Sequence, residues 1–307
     1  MPASLPQTPP ARQPEQPAVP RPWLATAGAV LYIFLWASAF VPSRVIATSG
    51  VPFWLLSARF LCAGVLLLVI ARVARLGWPG DARSWAVAAA YGVLANATYL
   101  ALQYVALRHL SSGMGAIIAS TNPLLLAVLA PFLLRERLSA RKAIGLSLGF
   151  LGVIVAMQAR AASSTARPGD VALASGGVLA LVLATIVFKR ARNTTHPLVV
   201  NAIALVAAGL AMLPCAVLAE GAPQLVVTGR LVVSFAYLVV LLSIGASLLW
   251  FWLLSHGEAS RVSAFYFLTP LFGVAAGALV LGEQVFALDG LGLLVVVAGI
   301  VLATRKA

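Results

Sequence analysis

A few polar and aromatic side chains lie inside long apolar runs, where they are suited to binding a polar solute. Asn96, Tyr99 and Gln103 stand at positions i, i+3 and i+7, which places them on one face of an α-helix. Trp250 lies 147 residues after Gln103, in a later run of the same kind. A polar stripe that faces hydrocarbon is costly, so we expect it to face the interior of a helix bundle. There it either lines a cavity or joins helices by hydrogen bonds, and both interpretations stay open.

Two apolar runs are interrupted near their centres by proline, at Asn122-Pro123 and at Thr269-Pro270. Proline has no amide hydrogen, so the carbonyls four residues earlier, at Ala119 and Tyr266, lose their helical partners. A freed carbonyl can bind a solute, a water or a neighbouring hydroxyl. A purely structural kink is the alternative, since membrane helices often tolerate proline.

Two large side chains inside the runs allow two interpretations each. Arg59 is the only basic residue clearly within a run. In one interpretation its guanidinium binds a carboxylate or phosphate through its fork of donors. In the other the side chain extends to the outer membrane interface. Trp36 either forms an aromatic wall of the site or lies at the interface.

No Asp or Glu lies in the middle of a run. Glu136 and Glu283 end two runs, which favours a role in capping the next helix or in pairing across a gate. The absence of a mid-run carboxylate disfavours proton exchange through such a group. His, Cys, Asp and Glu show no metal-ligand spacing, so we predict no metal site and no cofactor.

Composition identifies the solvent around these runs. Hydrophobic residues make up 62% of the 307 residues and charged residues 9%, and the mean hydropathy is +1.00. A soluble domain carries roughly 25% charged residues, so a water-facing globular surface is excluded. The runs do not alternate like β-strands, which predicts transmembrane helices. Ten spans are predicted: 24–41, 53–71, 85–106, 112–134, 142–158, 171–188, 198–219, 231–255, 260–282 and 286–303.

The net charge of +13 follows membrane topology rather than nucleic-acid binding. Basic residues concentrate in alternate short connections, fifteen on one side of the predicted bundle against five on the other. Positive residues favour the cytoplasmic side, so both termini are predicted to be cytoplasmic. The Pro-rich segment 1–22 is predicted to be a disordered tail.

A repeat relates the two halves of the chain at a shift of 147 residues. It matches helix-shaping positions: His109 with His256, Pro123 with Pro270, Glu136 with Glu283, Gly145 with Gly292 and Gly152 with Gly299. Because each half has five spans, the second half must enter the membrane in the opposite orientation. The predicted organisation is a first repeat over 23–158, a linker over 159–170 and an inverted second repeat over 171–304.

The sequence resembles the EamA group of the drug/metabolite transporter superfamily. The resemblance rests on LWASAFVPSRVI (35–46), on PFWLLSARFLCAGVLLL (52–68) and on the repeated pattern of serine, proline, glutamate and glycines, which is looser in the second copy. It implies a monomeric ten-helix bundle with a central cavity between the halves and alternating access. Members of this group export amino acids, their derivatives and other small metabolites.

The leading hypothesis is therefore a bacterial inner-membrane transporter that exports a small polar metabolite, most simply an amino acid or related compound. Its partners would be that solute and the lipid bilayer, with no nucleic acid. The alternative within transporters is an anionic or phosphorylated metabolite held by Arg59. A membrane-embedded transferase is the alternative of another class, but it would need clustered His, Asp or Glu, which the sequence lacks. No enzymatic activity is predicted.

Overall fold

A computed structural model describes residues 22–134, 139–163, 167–191, 195–255 and 268–304. Within these residues every regular element is a helix. The α-helices are α1 (Pro22–Ser38), α2 (Phe40–Ala47), α3 (Pro52–Val73), α4 (Ala82–Gly92), α5 (Tyr99–Ala106), α6 (Ser112–Ala119), α7 (Asn122–Leu134), α8 (Ala140–Ser163), α9 (Pro168–Ala191), α10 (Pro197–Glu220), α11 (Gly229–Tyr237), α12 (Ser247–Ser255), α13 (Thr269–Leu281) and α14 (Ala287–Thr304). Two π-helical segments, π1 (Val93–Thr98) and π2 (Leu238–Ala246), join α4 to α5 and α11 to α12.

Six of the described stretches are long and apolar enough to cross a membrane. They are Ala27–Ala47, Pro52–Val73, Ala82–Ala106, Pro168–Ala191, Pro197–Glu220 and Gly229–Trp250. Shorter apolar helices run over Ala143–Ala156, Thr269–Leu281 and Ala287–Gly299. A span of hydrocarbon needs about 20 such residues, so the six longer stretches fit a bilayer.

The first span is longer than predicted and is kinked. The predicted run 24–41 ends too early, because α2 continues the span to Ala47 after a break at Ala39. Pro42 explains the break, since it lacks the amide that would bond the carbonyl of Ser38 four residues earlier. The Ser38 hydroxyl donates to the carbonyl of Leu35 at 3.1 Å, within the same turn.

The middle of the chain is more helical than predicted. The predicted linker 159–170 is shorter in the structure, because α8 continues to Ser163 and α9 begins at Pro168. Asp170 accepts a hydrogen bond from the amide of Arg167 at 3.0 Å, which stabilises the start of α9. The predicted site residues Tyr266 and Glu136 lie outside the described residues, as do residues 1–21 of the predicted tail.

The same local start occurs twice, 147 residues apart. The Asp81 carboxylate accepts a hydrogen bond from the amide of Ser84 and caps α4, and the Thr228 hydroxyl accepts one from Leu231 and caps α11. Both capped helices continue into a π-helical segment. These paired features give spans three and eight the same construction.

Glycines set the closest helix contacts. α8 packs against α14 and α3 against α10, and these are the two most extensive helix contacts in the described structure. Gly152 lies against Gly292, and Gly299 against Gly145 and Gly149, so α8 and α14 run antiparallel with almost no space between their backbones. A side chain on these glycines would collide with the opposite helix, which explains why small residues occupy the contact.

Candidate functional site

Four aromatic rings form a continuous column through the bundle. The rings of Trp250 and Tyr32 are stacked with centroids 5.2 Å apart, Tyr32 and Trp36 are 6.3 Å apart, and Trp36 and Tyr99 are 6.2 Å apart and nearly parallel. This aromatic column joins α1 to α5 and to α12. It brings together three predicted site residues, Trp36, Tyr99 and Trp250. Tyr32 was not predicted, although it precedes Trp36 by four residues and shares its face.

Arg59 lies inside the bundle and not at a membrane interface. Along the axis of α3, Arg59 lies about 5 Å from the middle of the helix, at a rise of 1.5 Å per residue. The residue is 4% exposed. Its Nε donates a hydrogen bond to the Ser243 hydroxyl at 3.0 Å, and its NH1 group donates to the Tyr104 hydroxyl at 3.4 Å. The Tyr104 hydroxyl in turn donates to Ser43 at 3.3 Å. We call Ser43, Arg59, Tyr104 and Ser243 the polar cluster.

The polar cluster contains a positive charge without a recorded counter-ion. Its three other members are neutral hydroxyls. The ion pairs recorded among the described residues are Arg44 with Glu283 and His109 with Asp170, and neither includes Arg59. Burying an unpaired charge costs several kcal/mol, so this arginine is an energetically expensive feature of the interior.

Gln103 adds an unsatisfied amide on α5, the helix that also carries Tyr104 of the polar cluster. It is 1% exposed, and neither its amide nitrogen nor its oxygen has a hydrogen-bond partner among the described residues. The side-chain nitrogen lies opposite Gly115, where a Cβ atom would come within 2.9 Å of it and within 3.2 Å of the Phe40 ring. Gln103 follows Tyr99 by one turn and directly precedes Tyr104, so α5 carries groups of both the aromatic column and the polar cluster.

The π-helical segments position the site and were not foreseen. Ser243 lies within π2, and its carbonyl accepts a hydrogen bond from the Asn201 amide at 3.3 Å. Asn96 lies within π1 and is half-buried, whereas Tyr99 and Gln103 on α5 are buried. Its predicted place on their face rests on the α-helical period, which does not hold through π1. A π-helical turn inserts residues into the repeat and rotates everything beyond it. Such segments occur frequently at functional sites.

The two predicted proline breaks coincide with helix starts. α6 ends at Ala119 and α7 begins with Asn122-Pro123, while α13 begins with Thr269-Pro270. α13 packs antiparallel on α6, with Gly273 against Ala116 and Gly277 against Ser112. This register brings the end of α6 to the level of Thr269, which is fully buried. The Thr269 hydroxyl also has no partner among the described residues.

Carboxylates from the second half hold helices of the first half at one end of the bundle. The Glu283 carboxylate accepts hydrogen bonds from the amides of Ser112 and Gly113, at 2.8 and 3.2 Å, and pairs with Arg44. The sequence suggested that Glu283 caps the next helix, α14. In the structure it caps α6 instead.

Two further contacts lie at the same end. Glu220 accepts hydrogen bonds from the amides of Phe53 and Trp54 at the start of α3, at 2.8 and 3.1 Å. Nδ1 of His109 lies 3.1 Å from Oδ1 of Asp170. We call the contacts of Glu283, Glu220 and Asp170 the end clamp.

A cavity of about 760 Å³ lies at the other end of the bundle. Its lining comes from the α3–α4 connection and α4 of the first half and from residues 191–197 of the second half: Gly77, Trp78, Gly80, Asp81, Arg83, Ser84, Val87, Ala191, Thr195, His196 and Pro197. The aromatic column and the polar cluster contribute nothing to this lining, so the cavity and the central site are separate features. Within the described residues, no group of three His, Cys, Asp or Glu is placed to hold a metal ion.

Several known proteins are similar in sequence to this chain. A transporter of uncharacterised function from Archaeoglobus fulgidus is 26% identical over 285 residues, which is 92% of this chain and 99% of that protein. The uncharacterised transporter YvbV of Bacillus subtilis is 27% identical over 276 residues, 89% of each chain. A protein named "Probable amino-acid metabolite efflux pump" from Salmonella typhimurium is 23% identical over 281 residues, 89% of this chain and 92% of that one.

Comparison of structures gives the same fold. One crystal structure superposes with a TM-score of 0.66 at 20% identity and covers 92% of this chain and 96% of that chain. The profile of the EamA-like transporter family matches twice, over residues 23–158 and 170–305, with the two matches offset by 147 residues. These relatives are transporters and not enzymes. The chain is a member of the EamA-like transporter family.

Proposed function

We propose that the protein exports a small polar metabolite, an amino acid or related compound, across the bacterial plasma membrane by alternating access. The observation that carries the proposal is the central site itself, in which the aromatic column and the polar cluster draw side chains from both halves. Polar groups buried at a half–half interface are typical of transporter binding sites. The name of the Salmonella relative favours the same class of solute.

We infer ten spans in two inverted repeats. Helices related by the 147-residue shift, α3 with α10 and α8 with α14, pack against each other in antiparallel directions. A two-fold axis in the membrane plane would relate partners in this way, whereas an axis along the membrane normal would make them parallel. The antiparallel contacts therefore support the inverted arrangement.

Alternating access would then be movement of one half against the other. The end clamp bonds the second half to the first at the end that bears Arg44, so opening that end requires its hydrogen bonds to break. The distribution of basic residues assigns this end to the outside and both termini to the cytoplasm. We propose a monomer, since the central site draws its groups from a single chain.

Flux through proteoliposomes tests the transport proposal. Purified protein would be assayed for counterflow with a panel of labelled amino acids and sugar phosphates. Trp36 makes two stacking contacts in the aromatic column, each worth about 0.5–1.5 kcal/mol. Trp36→Ala should lower flux of the accepted solute about tenfold, while Trp85→Ala, which removes an aromatic outside the site, should not. Absence of flux for every solute, or equal loss in both variants, would contradict the proposal.

A second candidate is transport of an anionic or phosphorylated metabolite. The buried Arg59, with no recorded ion-pair partner among the described residues, favours it. The same flux panel distinguishes the two, because sugar phosphates would be accepted in preference to neutral or zwitterionic solutes.

A further inference from the structure

We propose that the central site recognises its solute through a carboxylate, which binds Arg59 as a single negative charge. This inference rests on the proposed transport function and names the chemical class of its cargo. The structure supports it through the charge of the polar cluster, the uncommitted donors of the guanidinium and the unsatisfied amide beside it.

The charge of the site matches one anion. Arg59 is the only buried basic residue among those described. A solute carboxylate would neutralise it, whereas a phosphate monoester near −2 would leave an excess negative charge in the membrane interior. An ionised group without a counter-ion is strongly disfavoured there. Charge balance at the guanidinium therefore favours a carboxylate over a phosphate as the group bound there. The ammonium of an amino acid would need a separate acceptor, which the Gln103 amide oxygen can provide.

The geometry leaves part of the guanidinium available. Arginine carries five N–H donors in a planar fork. Among the described residues Arg59 makes two hydrogen bonds, from Nε to Ser243 and from NH1 to Tyr104. Both partners are neutral hydroxyls on other helices, so they fix the fork without neutralising it. The remaining donors can bind two oxygens of one carboxylate in the bidentate manner that planar carboxylates favour.

Gln103 supplies a second, independent indication of a ligand. A buried amide with neither atom bonded costs about 1–3 kcal/mol for each unsatisfied group. It adjoins Tyr104 along α5, and through Gly115 it approaches Phe40, one turn before Ser43 on α2. A solute bound to Arg59 and extending along α5 would meet this amide, which can both donate and accept. Gln103 is thus placed to form a hydrogen bond with a second polar group of the solute.

Pairs of solutes that differ only in the carboxylate test the inference. Each amino acid of the panel would be compared with its primary carboxamide, which has nearly the same shape and no carboxylate charge. We expect the acid to exceed the amide at least about tenfold in wild-type flux and in the affinity obtained from thermal stabilisation. Arg59→Gln should abolish that preference, and Arg59→Lys, which keeps the charge without the fork, should restore part of it. Arg190→Gln, at the exposed end of α9, should retain the full preference.

The outcomes separate this inference from the proposed function. Equal flux and equal stabilisation by acid and amide would overturn the carboxylate site while transport stands. Acid-selective stabilisation that depends on Arg59, but without flux, would retain the site and overturn transport. If Arg59→Gln does not fold, the acid–amide comparison on wild type decides alone, because it needs no variant. Preference for sugar phosphates over carboxylic acids would also overturn the inference.

Discussion

Neutralising Glu283 should open the end of the bundle that the end clamp closes. In the structure the Glu283 side chain is 8% exposed and bonds two amides at the start of α6 together with the guanidinium of Arg44. Glu283→Gln keeps the size of the side chain but removes the charge. The contacts between α6, Arg44 and residue 283 join the two halves, so the substitution weakens the closed arrangement specifically.

The magnitude follows from the bonds that are weakened. Hydrogen bonds to a charged group contribute about 1.5–3 kcal/mol each, and a carboxylate at a helix N-terminus adds about 0.3–1 kcal/mol. The side chain of Arg44 is 32% exposed, so its ion pair adds little. Since glutamine still accepts one hydrogen bond, we expect a loss of about 2–4 kcal/mol. At 1.4 kcal/mol per factor of ten, the ratio of closed to open protein should fall about 30- to 700-fold.

Distance measurement between spin labels tests this prediction. Labels at Thr48 and Gln224, both exposed, would report the separation of the two halves at the clamped end, in a background carrying Cys62→Ser and Cys215→Ser. Glu283→Gln should shift the distribution to longer distances in detergent or nanodiscs. Asp81→Asn is the matched control, because Asp81 caps α4 within one half at the other end. An unchanged distribution in Glu283→Gln would refute the role of the end clamp.

Three further substitutions test the interior. Gln103→Leu should raise the midpoint of thermal unfolding by about 2 °C or more, because it removes an unsatisfied amide that costs about 1–3 kcal/mol. It should also reduce flux, because the solute would use that amide. A lower midpoint would show that the amide is satisfied. Gly299→Val should prevent stable folding, because the new side chain would collide with the α8 backbone. Gly290→Val, on the same helix but facing open space, should be tolerated. Fluorescence-detected size exclusion compares the folded yield of the two variants. Asn201→Leu removes the donor to the Ser243 carbonyl and should destabilise the protein by about 1–3 kcal/mol, and an unchanged thermal midpoint would show that π2 needs no support from α10.

Local rules predicted the features of the site that depend on one helix. Tyr99 and Gln103 are both buried, as the helical period predicts for one face of a helix. The helices α7 and α13 begin at Asn122-Pro123 and Thr269-Pro270, where proline lacks the helical amide. The place of Asn96 in the site stays a prediction, because it lies in π1, where the α-helical period does not apply. The sequence rules used for the spans give no signal for π1 or π2. Proline at position 42 was the available signal for the kink of the first span.

Features that depend on how helices pack could not be read from spacing. Glu283 ends one helix but caps another that is distant in sequence, so its partner depends on the packing of α13 against α6. Burial of Arg59 likewise depends on Tyr104 and Ser243, which come from other spans. The sequence left both interpretations open, because α3 alone allows the side chain to reach either the interface or the interior.

The two halves contribute different chemical groups to the central site, so a bound solute has a preferred orientation. The two family matches are offset by 147 residues, and at that offset Arg59 corresponds to Val206, Gln103 to Trp250 and Tyr99 to Ala246. The backbone scaffold is thus repeated, whereas the charge and the unsatisfied amide belong to the first half alone. A solute bound as proposed would place its carboxylate against the first half and its remaining surface toward Trp250. Among the described residues, the hydrogen bond from Arg59 to Ser243 is the one that links the first-half members of the polar cluster to the second half. Movement between the halves would therefore change that bond and leave the guanidinium bonded to Tyr104.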